Sequence, residues 1–297
     1  MNTYKWIDKN CKKLRGKTLA ITGSTGGIGE WLCDYLLHLG ASLILLDRNP
    51  QKQLALQKKL ILKYPFAEIT LITLDLESEA SVFSACEKLK ALPIDIFLHN
   101  AGAYSIPRKA CKSGFDNVFQ INFLSPYYII HQLLQKLRER DGKVVAVGSI
   151  AHNYSKSDPK NPDFKNAKAA SLVYGNAKRY LMFSLYELFK NEDKASLSIA
   201  HPGITFTNIT AHYKRLVFAL IKHPMKLIFM PPKVAALSII KACFIDCGYK
   251  EWLGPAIFDI WGLPKSKKLK TASDLESQQI FKTANASLLK YSKLSPQ

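Results

Sequence analysis

Tyr174 and Lys178 stand four residues apart in SLVYGNAKRYLMFSLYELFK, a stretch with helical periodicity, so their side chains share one helix face. A tyrosine hydroxyl with an ordinary pKa of about 10 is a poor proton acceptor at neutral pH. An ammonium beside it favours the phenolate and draws it towards a useful range. Ser149 directly follows the apolar run KVVAVG at 143–148. There a hydroxyl could donate to a carbonyl or alcohol oxygen and steady the charge that develops on it. Each residue also has a bland reading. Tyr174 and Lys178 could form an exposed pair, Ser149 could cap a turn, and Asn122, in an apolar helical stretch, could be a buried structural amide.

What lies upstream gives these residues a partner. Thr22-Gly23-Ser24-Thr25-Gly26-Gly27-Ile28-Gly29 separates an apolar run from an apolar helical pattern. Glycines let a chain turn tightly and approach a pyrophosphate, whose charge the following helix N-terminus favours. The strand–turn–helix setting is the context this motif requires. Asp47 ends the next apolar run, 18 residues after Gly29 (47 − 29). A carboxylate there can accept from adenosine ribose hydroxyls and repels a 2′-phosphate, which favours NAD. Arg48, next to it, could stack on adenine or hold that same phosphate, so NADP stays open. Ser24 and Thr25 bring no further basic group.

The elements that must position these groups alternate. Apolar runs at 17–22, 42–47, 68–74, 94–99, 143–148 and 195–200 read as strands. Helical patterns at 27–39, 51–63, 79–89, 115–138 and 171–190 lie among them. The expected fold is α/β: a doubly wound Rossmann-type parallel sheet of about seven strands with helices on both faces. Another helix is expected at 232–243, with 251–254 as the seventh strand at an edge. One domain spans 1–297, with an insert over the active site at about 204–232 and a C-terminal extension from about 255. Ligands of such sheets bind at the carboxyl ends of the strands, and the residues singled out above lie just after strands.

Composition narrows the class. Of 297 residues 47% are hydrophobic and 22% charged, an ordinary globular balance. The N-terminus is polar, and no run approaches the length of a membrane span. The expected compartment is the cytoplasm. The six cysteines (Cys11, Cys33, Cys86, Cys111, Cys243, Cys247) form no CxxC pair and read as reduced thiols, with no metal site. The net charge of +19 is unusual, but Lys and Arg are spread along the chain, so no nucleic-acid partner is expected. Peripheral contact with the inner face of a membrane stays open. The apolar yet basic stretch 216–232 could rest on one, or act as a lid for an apolar substrate.

Taken in order, these motifs resemble the short-chain dehydrogenase/reductase family, in its ordinary single-domain branch, over residues 17 to about 207. The resemblance rests on Thr22–Gly29, Asp75, Asn100-Ala101-Gly102, Asn122, Ser149, Tyr174 with Lys178, and Pro202-Gly203 with Thr207. It implies hydride transfer between NAD(P) and a small-molecule alcohol or ketone, with Tyr174 as general acid/base. Lys178 would also bind the nicotinamide ribose, and Asn122 would hold a water in a proton relay. Asp75, with Leu76 beside it, would contact adenine, although a helix cap is an alternative for Asp75. Asn100, Ala101 and Gly102 would line the adenosine. Pro202, Gly203, Ile204 and Thr207 would border the nicotinamide. Family members often pair through the helices at 115–138 and 171–190, so a homodimer or homotetramer is open.

Ser149 and Tyr174 are 25 residues apart (174 − 149), about twice the family's usual separation. The added polar loop and the tail at 261–265 resemble retinol-dehydrogenase-like members. The loop could wall the substrate pocket or lie solvated on the surface, and His152 within it reads as a loop contact. Two other function classes stay open: an NAD-assisted epimerase or dehydratase, separated by net cofactor turnover, and a non-catalytic cofactor-binding protein, which has no chemical need for the tetrad.

Overall fold

The computed structural model describes residues 1–205 and 229–295. Its first half runs α1 (Thr3–Asn10), β1 (Thr18–Thr22), α2 (Gly27–His38), β2 (Ser42–Asp47), α3 (Pro50–Lys63), β3 (Ile69–Thr73), α4 (Glu79–Lys90) and β4 (Ile96–His99). Next come α5 (Asn117–Phe119), a π-helical turn (Gln120–Leu124), α6 (Ser125–Arg138), β5 (Lys143–Val147) and a 3₁₀ turn (Ile150–Asn153). The rest comprises α7 (Ala170–Leu188), β6 (Ser196–Ala200), α8 (Pro232–Ala242), β7 (Glu251–Ile257), β8 (Trp261–Lys268) and α9 (Asp274–Ser292).

The strands form one sheet in the order β3-β2-β1-β4-β5-β6-β7-β8. Every pairing is parallel except β7 with β8. Strand order reverses between β1 and β4, which opens a crevice at their carboxyl ends. Successive residues of a strand point to opposite faces, and the core divides accordingly. Ala20, Phe97, Val144 and Ala146 pack with α4, α6, α7 and α9. Leu19, Ile21, Leu98 and Val145 pack with α1, α2, α3 and α8 on the other side.

The C-terminal part corrects the sequence reading. The expected edge at 251–254 is an interior strand, and the antiparallel edge is β8. Its sequence, WGLPKSKK, hides it: proline and lysines suppress a strand signal, yet an edge strand tolerates both. Helix α9 was also unanticipated. Ser273 caps it by accepting from the Glu276 N–H, and Ile280, Ala284 and Tyr291 enter the core. The extension from 255 is thus built into the sheet and its packing. Of the expected insert at 204–232, residues 206–228 lie outside the described residues, Thr207 among them. Its ends meet at a Thr205–Met230 bridge.

Candidate active site

The glycine turn is closed by contacts that leave no room for side chains. Gly23 has φ 69°, and a Cβ on it would lie 2.9 Å from Ala101 Cα. A Cβ on Gly29 would lie 2.0 Å from the Gly23 carbonyl oxygen. Gly26 caps α2 without any side-chain acceptor for the first-turn N–H groups, an arrangement that suits a phosphate. Gly27 is exposed and Ile28 half-buried beside it. Thr22 Oγ1 accepts from the N–H groups of Asn100 (3.1 Å) and Ala101 (3.0 Å). Asn100 Nδ2 returns donations to the carbonyls of Thr22 and Gly23 at 3.3 and 3.0 Å. The end of β4 is thereby laced to the turn.

Asp47 faces the same turn. Its carboxylate accepts from the Thr25 N–H (3.2 Å), Thr25 Oγ1 (3.0 Å) and the Ser24 hydroxyl. It is 8% exposed, and burial raises its pKa against those hydrogen bonds. Arg48 is exposed. Asp75 Oδ1 accepts from the Glu77 N–H at 3.0 Å, so the carboxylate shapes the turn before α4, whose own cap is Ser78. Leu76 is buried, and its carbonyl accepts from Ser125 Oγ. At the end of β6, Gly203 has φ 81° and a Cβ there would press within 2.6 Å of the Ile260 carbonyl oxygen. Pro202 and Ile204 are half-buried beside it.

The catalytic candidates converge from three elements. Asn122 sits fully buried in the π turn, where i→i+5 spacing bulges the helix and frees backbone groups. Its amide donates to the carbonyls of Ala103 and Val118, both at 2.8 Å, and its oxygen accepts from the Ala103 N–H at 3.1 Å. A Cβ on Gly102 would lie 2.8 Å from Asn122 Oδ1 and 3.7 Å from Lys178 Nζ, so both side chains border that glycine. Lys178, 2% exposed, donates to the Val147 carbonyl at 2.9 Å. Burial pulls its pKa down to about 8.

Tyr174 lies one turn earlier on α7, with Lys178 Nζ 5.9 Å from its ring centre. Burial pushes its pKa up to about 12, and the nearby Ser149 hydroxyl opposes the rise. Ser149 itself caps the 3₁₀ turn by accepting from the Ala151 N–H at 3.2 Å. The four side chains therefore sit where β4, β5 and α7 meet at the carboxyl edge. A hollow of about 390 Å³ lies elsewhere, around Gly142, Tyr186 and Ser196 at the amino edge.

Tyr104 and Arg108 at the site carried no sequence signal, and His152, expected as a loop contact, has partners the sequence does not indicate. Tyr104 packs edge-on against Tyr174, with ring centres 5.3 Å apart. Arg108 orders the long loop by bonding to Asp116 (2.8 Å) and to the carbonyls of Phe164 (3.0 Å), Lys165 (3.1 Å) and Ala167. The loop is folded back on the segment before α5. His152 is fully buried, with Nδ1 2.6 Å from the Ser149 carbonyl oxygen and Nε2 2.9 Å from Thr271 Oγ1.

Residues 17–173, more than half of the chain, match the model of the short chain dehydrogenase family, and the chain belongs to that family. An uncharacterized oxidoreductase of Schizosaccharomyces pombe is 28% identical over 276 residues, 87% of this chain and 81% of that one. Among solved structures, an uncharacterized protein from Mycobacterium paratuberculosis aligns with a TM-score of 0.74 at 19% identity, covering 95% of this chain and 96% of that one. A 3-oxoacyl (acyl-carrier-protein) reductase from Agrobacterium tumefaciens with NADP bound aligns at 0.59 and 22% identity, covering 79% and 92%. These two likenesses establish the fold.

Proposed function

We propose that the protein is an NAD(P)-dependent oxidoreductase that interconverts an alcohol and a ketone, with an apolar substrate favoured. The observation that carries the reading is the convergence of the Ser149 and Tyr174 hydroxyls beside the buried Lys178 and Asn122. Two hydroxyls presented together can bind one substrate oxygen. The glycine turn, the uncapped start of α2 and the glycine at 102 fit a dinucleotide laid across the carboxyl edge. When bound there, the nicotinamide accepts or supplies the hydride.

The remaining work falls to the chain. Ser149 Oγ donates to the substrate oxygen and orients it. Tyr174 Oη takes the proton of an alcohol as it is oxidised, or returns one to a ketone as it is reduced. A hydroxyl with a pKa near 12 is too weak a base alone. Lys178 must therefore act while protonated, stabilising the Tyr174 phenolate that accepts the alcohol proton. Asn122 holds the kinked helix against Ala103 and keeps the space around Gly102 polar. Asp47 favours NAD, since its charge opposes a 2′-phosphate; the exposed Arg48 is the group that would accept one.

The test is a fluorescence titration with NADH and with NADPH on the wild type and Tyr174→Phe. Saturable binding to both proteins, with ketone-dependent oxidation of the nucleotide only in the wild type, is expected. Failure of both nucleotides to bind overturns the reading.

A further inference from the structure

Strand β7 runs beyond its neighbours. Its pairing with β6 ends at Ala200 with Leu253, so Gly254–Ile257 projects about 13 Å past the carboxyl edge at ordinary strand rise. The projection is not remote from the site: a Cβ on Gly203 would meet both Pro255 and the Ile260 carbonyl. At its tip, Ile257 is 56% exposed, Phe258 87% and Leu263 42%. Phe258 and Asp259 both have positive φ, 50° and 58°, and the Ile260 N–H closes the turn on the Ile257 carbonyl. Asn-Gly is the favoured pair for such a turn. A bulky aromatic in a left-handed conformation, facing water, contradicts both local preference and burial.

The charge along β8 has one sign. Between 257 and 270 stand Lys265, Lys267, Lys268 and Lys270 against the single acid Asp259, which Lys267 already pairs. Lys265, Lys268 and Lys270 are exposed and form no ion pair among the described residues; Lys265, opposite Gly254, is the one nearest the tip, and Lys268, opposite Glu251, stands at the other end of β8. They extend a net charge of +19. No helix among the described residues is long and apolar enough to cross a membrane, so any contact with lipid must be made from the surface.

We propose that the β7–β8 hairpin is a membrane-docking wedge that seats the carboxyl edge of the sheet on an anionic bilayer. Ile257, Phe258 and Leu263 enter the interface, and Lys265, the free lysine nearest the tip, meets the headgroups, within the field of the net charge of +19. A second exposed apolar group, Leu62 and Phe66 at the end of α3, lies towards the opposite edge of the sheet. Of the lysines near it, Lys59 and Lys63 are paired with Glu30 and Asp34, while Lys58, one turn before Leu62, is exposed without an ion pair among the described residues. That face mixes its lysines with Glu30, Asp34 and Glu68 and serves as an internal comparison.

The experiment is co-sedimentation of the full chain with phosphatidylcholine vesicles with and without phosphatidylserine. Wild type should bind only the anionic vesicles, and added salt should weaken binding. The double variant Ile257→Ser, Phe258→Ser should lower partitioning about tenfold or more. Lys265→Glu should weaken binding to the phosphatidylserine vesicles, and Phe66→Ser should bind as wild type does. Matching melting temperatures establish that the variants fold. Tyr174→Phe should dock normally, so failure of the catalytic reading would leave this result standing. Absence of wild-type binding, or full binding by the hairpin variants, overturns the proposal. So does a wild type that ignores vesicles but self-associates through Phe258, which would make the occupant a second copy of this chain.

Discussion

Replacing Lys178 with methionine should make the nucleotide-free protein more stable while removing its activity. The ammonium is 2% exposed and satisfied by one carbonyl, that of Val147. Burial lowers its pKa from the ordinary 10.5 to about 8, which corresponds to about 3 kcal/mol of disfavoured ionisation at neutral pH. Methionine fills similar space without a charge and leaves the Val147 carbonyl without its donor, a loss of about 1 kcal/mol. The net expectation is about 2 kcal/mol of added stability, a rise of roughly 4–8 °C in Tm. The pH dependence separates this account from simple repacking. Between pH 8 and 10.5 the unfolded wild type holds a proton that the folded protein has lost, so wild-type stability climbs through that window. The variant lacks this term, so its advantage should shrink as pH rises from 8, vanish somewhat below 10.5, and give way above it to a deficit of about 1 kcal/mol from the lost Val147 hydrogen bond. Thermal melts of both proteins across that range are the assay. A variant less stable at neutral pH, or a difference independent of pH, refutes the reasoning.

Three further substitutions probe the frame. Asn122→Ala removes three buried hydrogen bonds to Ala103 and Val118 and should cost about 2–4 kcal/mol in a denaturant titration. Gly29→Ala places a carbon 2.0 Å from the Gly23 carbonyl. The turn must open, and nucleotide affinity by fluorescence titration should fall by more than about tenfold. Arg179→Leu strands Glu276 and the carbonyls of His152 and Thr271. It should destabilise by about 3–5 kcal/mol in urea, with Arg179→Lys restoring only part because an ammonium cannot reproduce the guanidinium fork.

The alternating core was legible because each interior strand is an unbroken apolar run, and the glycine turn because its spacing follows from backbone clearance. Tyr174 and Lys178 were legible for a simpler reason: their relation is local, one turn of α7. Asn122 was identifiable as a residue but not in its setting, since a π turn inserts a residue without altering composition. Strand β8 was lost because an edge strand is free to carry proline and lysine, which erase the pattern. Arg108 and His152 were beyond reach for another reason. Their partners lie 59 and 119 positions away, and no local rule pairs an arginine or a histidine with such distant groups.

Those distant pairings determine how Ser149 is held. A carbonyl oxygen can only accept, so the contact with Ser149 places the proton of His152 on Nδ1, and Nε2 must then accept from Thr271 Oγ1. Burial keeps the ring neutral by drawing its pKa down to about 4, which preserves that tautomer at neutral pH. Trp252 lies edge-on to His152 at 5.4 Å and stacks on His201 at 4.9 Å. His201 in turn contacts the Asp259 carbonyl in the hairpin. Arg179, next to Lys178, clamps the other side through His152, Thr271 and Glu276. The stretch that matches the family supplies Ser149, but its backbone is braced by Thr271 and Glu276 from the C-terminal segment. Substitution there should therefore reach the chemistry as directly as substitution in the loop that carries the serine.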